Sequence, residues 1–136
     1  MGTDEVGGNV TPYRPMTLVD LAGWLARESR DEDRWRLVAE FLEEYRHEEG
    51  EVRASLVTDE PPPTGSERWD VFLAALAEHL SLRDARDAPP WTEERRLDTF
   101  WFPLNTRAAR ADAIVHGPVA FRRRGVFVGP QDLEVA

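Results

Sequence analysis

The apolar positions of this chain recur mostly three and four residues apart, the spacing of one helix face. Leu18, Leu21, Trp24 and Leu25 form the first stripe. Thr17 can cap it, and Asp20 stands in the first turn, where the helix dipole favours a carboxylate. After "SRDED" a second stripe runs through Trp35, Val38, Phe41, Leu42 and Tyr45, with Asp31 as its expected cap. Arg34, Arg36, Glu40, Glu43, Glu44 and His47 make the opposite, solvated face. Gly50 ends that run, and 51–57 reads as a short helix. "TDEPPPTG" is the clearest punctuation, because consecutive prolines cannot continue a helix.

Ser66 opens the longest stripe, Trp69, Phe72, Leu73, Leu76, Ala77 and Leu80, which "DAPP" at 87–90 breaks. Thr92 can cap a short turn over "EERRL". In "LDTFWFP" three aromatics stand side by side, and both faces of that segment are expected to be covered. Asn105 or Thr106 caps a helix through Ala109, Ala113, Ile114 and Val115, which Gly117-Pro118 stops. The pattern predicts an all-α fold of about six or seven short helices, with at most one short extended segment near 126–128. Residues 1–15 read as a flexible arm, 16–58 as an N-terminal helical region, 59–65 as a proline-rich connection and 66–136 as a helical, aromatic-rich region. Together they are expected to form one compact domain.

Composition narrows the classes. The chain has 136 residues, 41 % of them hydrophobic, with five tryptophans, enough for a packed core without staples. It has no cysteine, which excludes a disulfide framework and thiolate metal sites and fits a cytoplasmic setting. No apolar run approaches the ~20 residues needed to span a bilayer, and neither a secretory nor a myristoylation signal is legible at the start. The net charge is −9. It is uneven: residues 1–88 carry −10 and residues 89–136 carry +1. All 17 basic residues are arginine. Such an acidic chain is not built to coat DNA, although its acidic body could neutralise a basic partner.

"AFRRRGVFVGP" concentrates the positive charge. Read as a helix end, Gly125 takes the left-handed stop and Val126 folds back towards Phe121. Arg122, Arg123 and Arg124 then complement the negative helix terminus, pointing about 100° apart. Read as a DNA grip, they join Arg107 and Arg110 in a patch of five. Read as a partner surface, Trp101, Phe102, Phe121 and Phe127 anchor the contact and Arg122 to Arg124 orient it, since aromatics and arginine dominate interface hot spots.

Signals for other chemistry are thin. Glu44 and His47 have the Glu-x-x-His spacing of carboxylate-bridged metal bundles, but Glu78 and His79 are adjacent and supply no second pair. His116 reads as a helix-end cap. Ser29, Ser55, Ser66 and Ser81 lie in no nucleophile elbow, and no phosphate-cradling glycine loop is present. No catalytic residue, metal or cofactor is expected. An enzyme would require Glu44, Glu78 and His79 to meet in one polar pocket.

The blocks Leu97-Asp98-Thr99-Phe100-Trp101-Phe102, Ala120-Phe121-Arg122-Arg123-Arg124-Gly125 and Asp132-Leu133-Glu134 resemble a family of small actinobacterial proteins. The resemblance extends over about half the chain, including "EPPPTGSERWDVFLAALAEHL". It implies an antitoxin-like or regulator-associated partner and carries over no active-site residue. The resulting expectation is a non-enzymatic protein-interaction module, a homodimer being one arrangement. The alternative is a DNA-binding transcriptional regulator using Arg107, Arg110 and Arg122 to Arg124.

Overall fold

A computed structural model describes residues 14–134. The expected flexible arm therefore lies almost wholly outside the described residues. Among those described, the chain is all-α: α1 (Leu18–Arg27), α2 (Asp31–Arg46), α3 (Gly50–Val57), α4 (Glu67–Arg83), α5 (Arg107–His116) and α6 (Val119–Arg122). Two single 3-10 turns, Pro90–Glu94 and Pro130–Leu133, complete the order. No helix is long and apolar enough to cross a membrane among the described residues.

The helix starts follow local chemistry. Thr17 and Asp20 form a reciprocal capping box at α1, Thr17 Oγ1 accepting from Asp20 N and Asp20 Oδ2 accepting from Thr17 N. Ser66 and Thr106 cap α4 and α5 by accepting from Trp69 N and Ala109 N. Asp31 behaves differently from its expected cap role. It is the first residue of α2, and its carboxylate accepts from Trp69 Nε1 at 3.1 Å and pairs with Arg34 at 2.7 Å. Arg30 takes the cap position instead, with no side-chain hydrogen bond. Thr92 is likewise no cap for "EERRL"; it lies inside a 3-10 turn, and its hydroxyl donates to Pro89 O.

α4 is the axis of the molecule. The expected stripe is buried, and Val71, Ala74 and Ala75 on the other sides are buried too, because α1, α6 and the Pro90–Glu94 turn all pack around this helix. One continuous cluster of buried side chains joins Leu18, Leu21 and Phe41 to Phe72, Leu76, Phe121, Val126 and Leu133. Trp35, Trp69, Phe72 and Trp101 meet within it at centroid separations of 5.1–5.7 Å, mostly edge to face. The proline connection is tied down from the C-terminal side. Arg95 donates to Pro61 O at 3.0 Å and Asp70 O at 2.9 Å, and Trp91 Nε1 donates to Thr58 O.

Among the described residues the one extended pairing is a parallel bridge between Trp101 and Val126. Trp101 N donates to Gly125 O at 2.8 Å, and Phe127 N donates to Trp101 O at 2.9 Å. This short pairing sets which aromatics face the core.

Candidate functional site

The arginine triplet ends a helix as its sequence suggests. Gly125 has φ +86°, Gly125 N donates to Arg122 O, and Val126 N donates to Phe121 O. These two bonds make a Schellman stop, with glycine at the position a side chain would strain. From this turn the three arginines diverge. Arg124 is 1 % exposed. It donates to Ala120 O and Thr92 O, each at 2.9 Å, and pairs with Glu78. Arg123 grips the same carboxylate through two nitrogens, each at 2.9 Å. Arg122 and Arg123 are both at the surface, but only Arg123 of the two pairs with Glu78. Burial by itself would raise the Glu78 pKa, but the bonds from Arg123 and Arg124 more than reverse this and hold it below its ordinary 4.5.

Burial corrects the expected partner surface. Phe121 is 0 % exposed, and Trp101 and Arg124 are buried with it, so none of the three presents a side chain to a partner. Arg123 is tied to Glu78. Phe102 and Phe127 remain half-buried, and they are joined by Phe100, which the helical spacing does not single out. Phe100 is 72 % exposed, so one face of "LDTFWFP" is open rather than covered. The cause is the extended backbone, in which neighbouring side chains point to opposite sides. Trp101 and Val126 point inward, while Phe100, Phe102 and Phe127 share the outer side. Two-residue alternation in "TFWFP" and "GVFVG" is the signal that could have separated them.

The outer rings form a compact cluster. Phe127 meets Phe100 edge-on and Phe102 in a stack, each at 5.0 Å. The Arg110 guanidinium sits 4.4 Å above the Phe102 ring, held by a 2.7 Å bond to Asn105. α5 extends this surface. Of its residues only Ala113 is buried, and Ile114 lies one turn beyond Arg110 on the same helix face, more than half exposed. Asp112 fastens the helix by accepting from Gln131 Nε2 at 2.7 Å. Gly117 and Gly129 let the chain pass close, because a side chain there would run into Ala113 O and the Asp112 carboxylate.

The other expected constellations are dispersed. Of the five arginines proposed for DNA, Arg107, Arg110 and Arg122 face solvent, while Arg123 and Arg124 belong to Glu78. Glu44 accepts from Met16 N at 2.6 Å, and His47 Nδ1 lies 2.8 Å from Glu43 O. His116 Nδ1 rests 3.1 Å from Asp112, not on a helix carbonyl. His79 is packed against Phe121. Among the described residues no three histidines or carboxylates gather as a metal cage. Glu44, Glu78 and His79 do not line the principal cleft, which has other walls.

That cleft, about 430 Å³, lies where the ends of α2 and α4 meet the last 3-10 turn. Tyr45 donates to Asp84 Oδ2 at 2.6 Å, and Arg86 donates to both of them. Arg53 binds the other Asp84 oxygen at 3.0 Å and also donates to the carbonyls of Tyr45, Arg46 and Glu48. Burial and the adjacent Asp84 push the Tyr45 hydroxyl above its ordinary 10.0. Burial acts to raise the Asp84 pKa, and the bonds from Tyr45 and Arg86 outweigh it and hold the group below 3.8. No protein-family model, curated protein or solved structure matches this chain.

Proposed function

We propose that the protein is a non-enzymatic interaction module, an antitoxin-like or regulatory partner, that binds another protein through the outer face of its C-terminal lobe. The observation that supports this reading is the stacked, solvent-facing cluster of Phe100, Phe102 and Phe127 with Arg110 on top. Rings held against one another lose little freedom on binding, and aromatics with arginine are the groups that anchor protein interfaces. Arg107 and Arg110 on the same side favour a partner whose rim is acidic. The contact set is therefore Phe100, Phe102, Arg110, Ile114 and Phe127.

The test is capture by the full chain from a nuclease-treated host extract, compared with Phe100→Ser and Ile114→Ser. Both positions are exposed, so both variants should keep the wild-type circular dichroism. A near-stoichiometric partner lost with either variant is the expected result, and self-association lost in the same way would name a second copy as that partner. Equal capture by wild type and variants would remove the reading.

The DNA-binding alternative keeps Arg107, Arg110 and Arg122. Its support is their common exposure in the least acidic third of the chain. It requires binding that falls steeply with salt and weakens in Arg107→Ala.

A further inference from the structure

We propose that the cleft between the ends of α2 and α4 binds a small amphipathic anion, a carboxylic acid or phosphate monoester carrying a short hydrocarbon part. The inference is independent of the aromatic surface, which lies on other elements. Three observations carry it.

The first is shape. At about 430 Å³ the cleft falls in the range of small-ligand sites, ~300–1,000 Å³. The second is its division into an apolar side and a charged side. Leu42, Leu80 and Leu133 supply the apolar wall, from α2, α4 and the last 3-10 turn respectively. The charged lining is three arginines against two carboxylates, with His47 beside them, a net positive place on a chain of net charge −9. The third is the state of those charges. Asp84 is already enclosed by Tyr45, Arg53 and Arg86, so it repels an entering anion weakly. Arg53 is bonded through each of its three nitrogens and closes the carbonyls at the end of α2, which would otherwise oppose an anion there.

Arg83 and Arg46 differ. Among the described residues Arg83 pairs with Glu134 at 3.0 Å, both side chains 55 % exposed. Arg46 pairs with Glu43 at 3.0 Å, again at the surface. Such exposed pairs are held weakly and exchange partners readily. A ligand carboxylate or phosphate lets Arg83 and Arg46 form charge-assisted bonds inside a partly desolvated cleft, where they are stronger. The hydrocarbon part then rests on the little of Leu42, Leu80 and Leu133 that the cleft leaves open, 3 %, 7 % and 4 % of each, and adds modestly to the head-group contact.

The experiment is an amide-resolved NMR titration of the full chain with hexanoate, hexyl phosphate and hexylamine, followed by hexanoate on Arg83→Glu and Arg46→Glu. Both substituted positions are solvent-facing, and thermal melts check the fold. The expected result is a saturable shift of the amides of Leu42, His47, Leu80 and Leu133 with hexanoate or hexyl phosphate. Whichever anion binds more tightly names the head group. Hexylamine should bind at least tenfold more weakly, and each charge reversal should weaken the anion at least fivefold. If one variant fails to fold, the other carries the comparison. Absence of a saturable shift with either anion, equal binding of hexylamine, or shifts confined to other surfaces overturns the proposal.

Discussion

Arg124 offers the sharpest test of how the C-terminal lobe is held. Replacement by alanine removes the donors to Thr92 O and Ala120 O and one of the two cations on Glu78. A buried carbonyl left without its donor costs about 1–3 kcal/mol. Breaking a buried ion pair from one side costs about 3–5 kcal/mol, the charge left behind being the main reason. Here Glu78 keeps the two-nitrogen grip of Arg123, so the charge is not abandoned; Ala120 O loses its Arg124 donor and Thr92 O is left with a 3.5 Å bond from Arg95 N, so these carbonyls carry most of the loss. The expected cost is about 3–5 kcal/mol, a large part of the ~5–15 kcal/mol that stabilises a domain of this size. With a urea slope of ~1–3 kcal/mol per molar, the midpoint falls by roughly 2 M. Tryptophan fluorescence reports the transition, because Trp69 and Trp101 lie in the core. Arg122→Ala, at an exposed position, should stay within about 0.5 kcal/mol of wild type, and Arg123→Ala should cost about 1 kcal/mol. Arg124→Lys should not restore stability, since an ammonium cannot reproduce the planar fork that reaches two carbonyls and a carboxylate. The reasoning fails if Arg124→Ala unfolds within about 1 kcal/mol of wild type, or if Arg122→Ala costs as much.

Two further outcomes are expected. Ala85 has φ 59° and closes a Schellman stop after α4, with Ala85 N on Leu82 O and Arg86 N on Ser81 O. Ala85→Gly should therefore raise stability by about 0.5–1 kcal/mol in the same urea assay, and a loss would contradict the backbone argument. His79 is held neutral, mainly by burial and then by Arg83, with its pKa lowered from 6.5 to about 4. The unfolded chain takes up this proton first, so stability is full above pH 6.5 and falls as pH drops towards 4. An NMR titration should place His79 near 4, and His79→Leu should flatten the decline; a midpoint near 6.5 would refute it.

Much of the architecture was legible because it rests on neighbours in sequence. Helical spacing located the stripes of α1, α2 and α4, except that Trp24 of the α1 stripe is exposed and Ala22 is buried in the core, and hydroxyl caps marked the starts of α1, α4 and α5. The stop at Gly125 was legible for the same reason: its two hydrogen bonds link residues three and five apart, and glycine alone adopts the turn without strain. The proposed contact surface was half legible. Phe102 and Phe127 were singled out, but Phe121 and Trp101 were grouped with them although they face the core.

What the chain determines by itself is local: a preference for helices, their ends, and an uneven charge that makes the last third the least acidic. Only the tertiary structure decides what each arginine does. Arg122, Arg123 and Arg124 are chemically the same residue three times over, and no local rule ranks them. Glu78, 46 residues before Arg124, arrives because α6 packs on α4, and its carboxylate captures two of the three. Once buried, the pair is costly to break from one side, because the charge left behind has little water to turn to. Phe100 and Trp101 are divided in the same way: the 101–126 bridge presents one side of an extended segment to the core, and alternation sends the neighbouring ring to solvent.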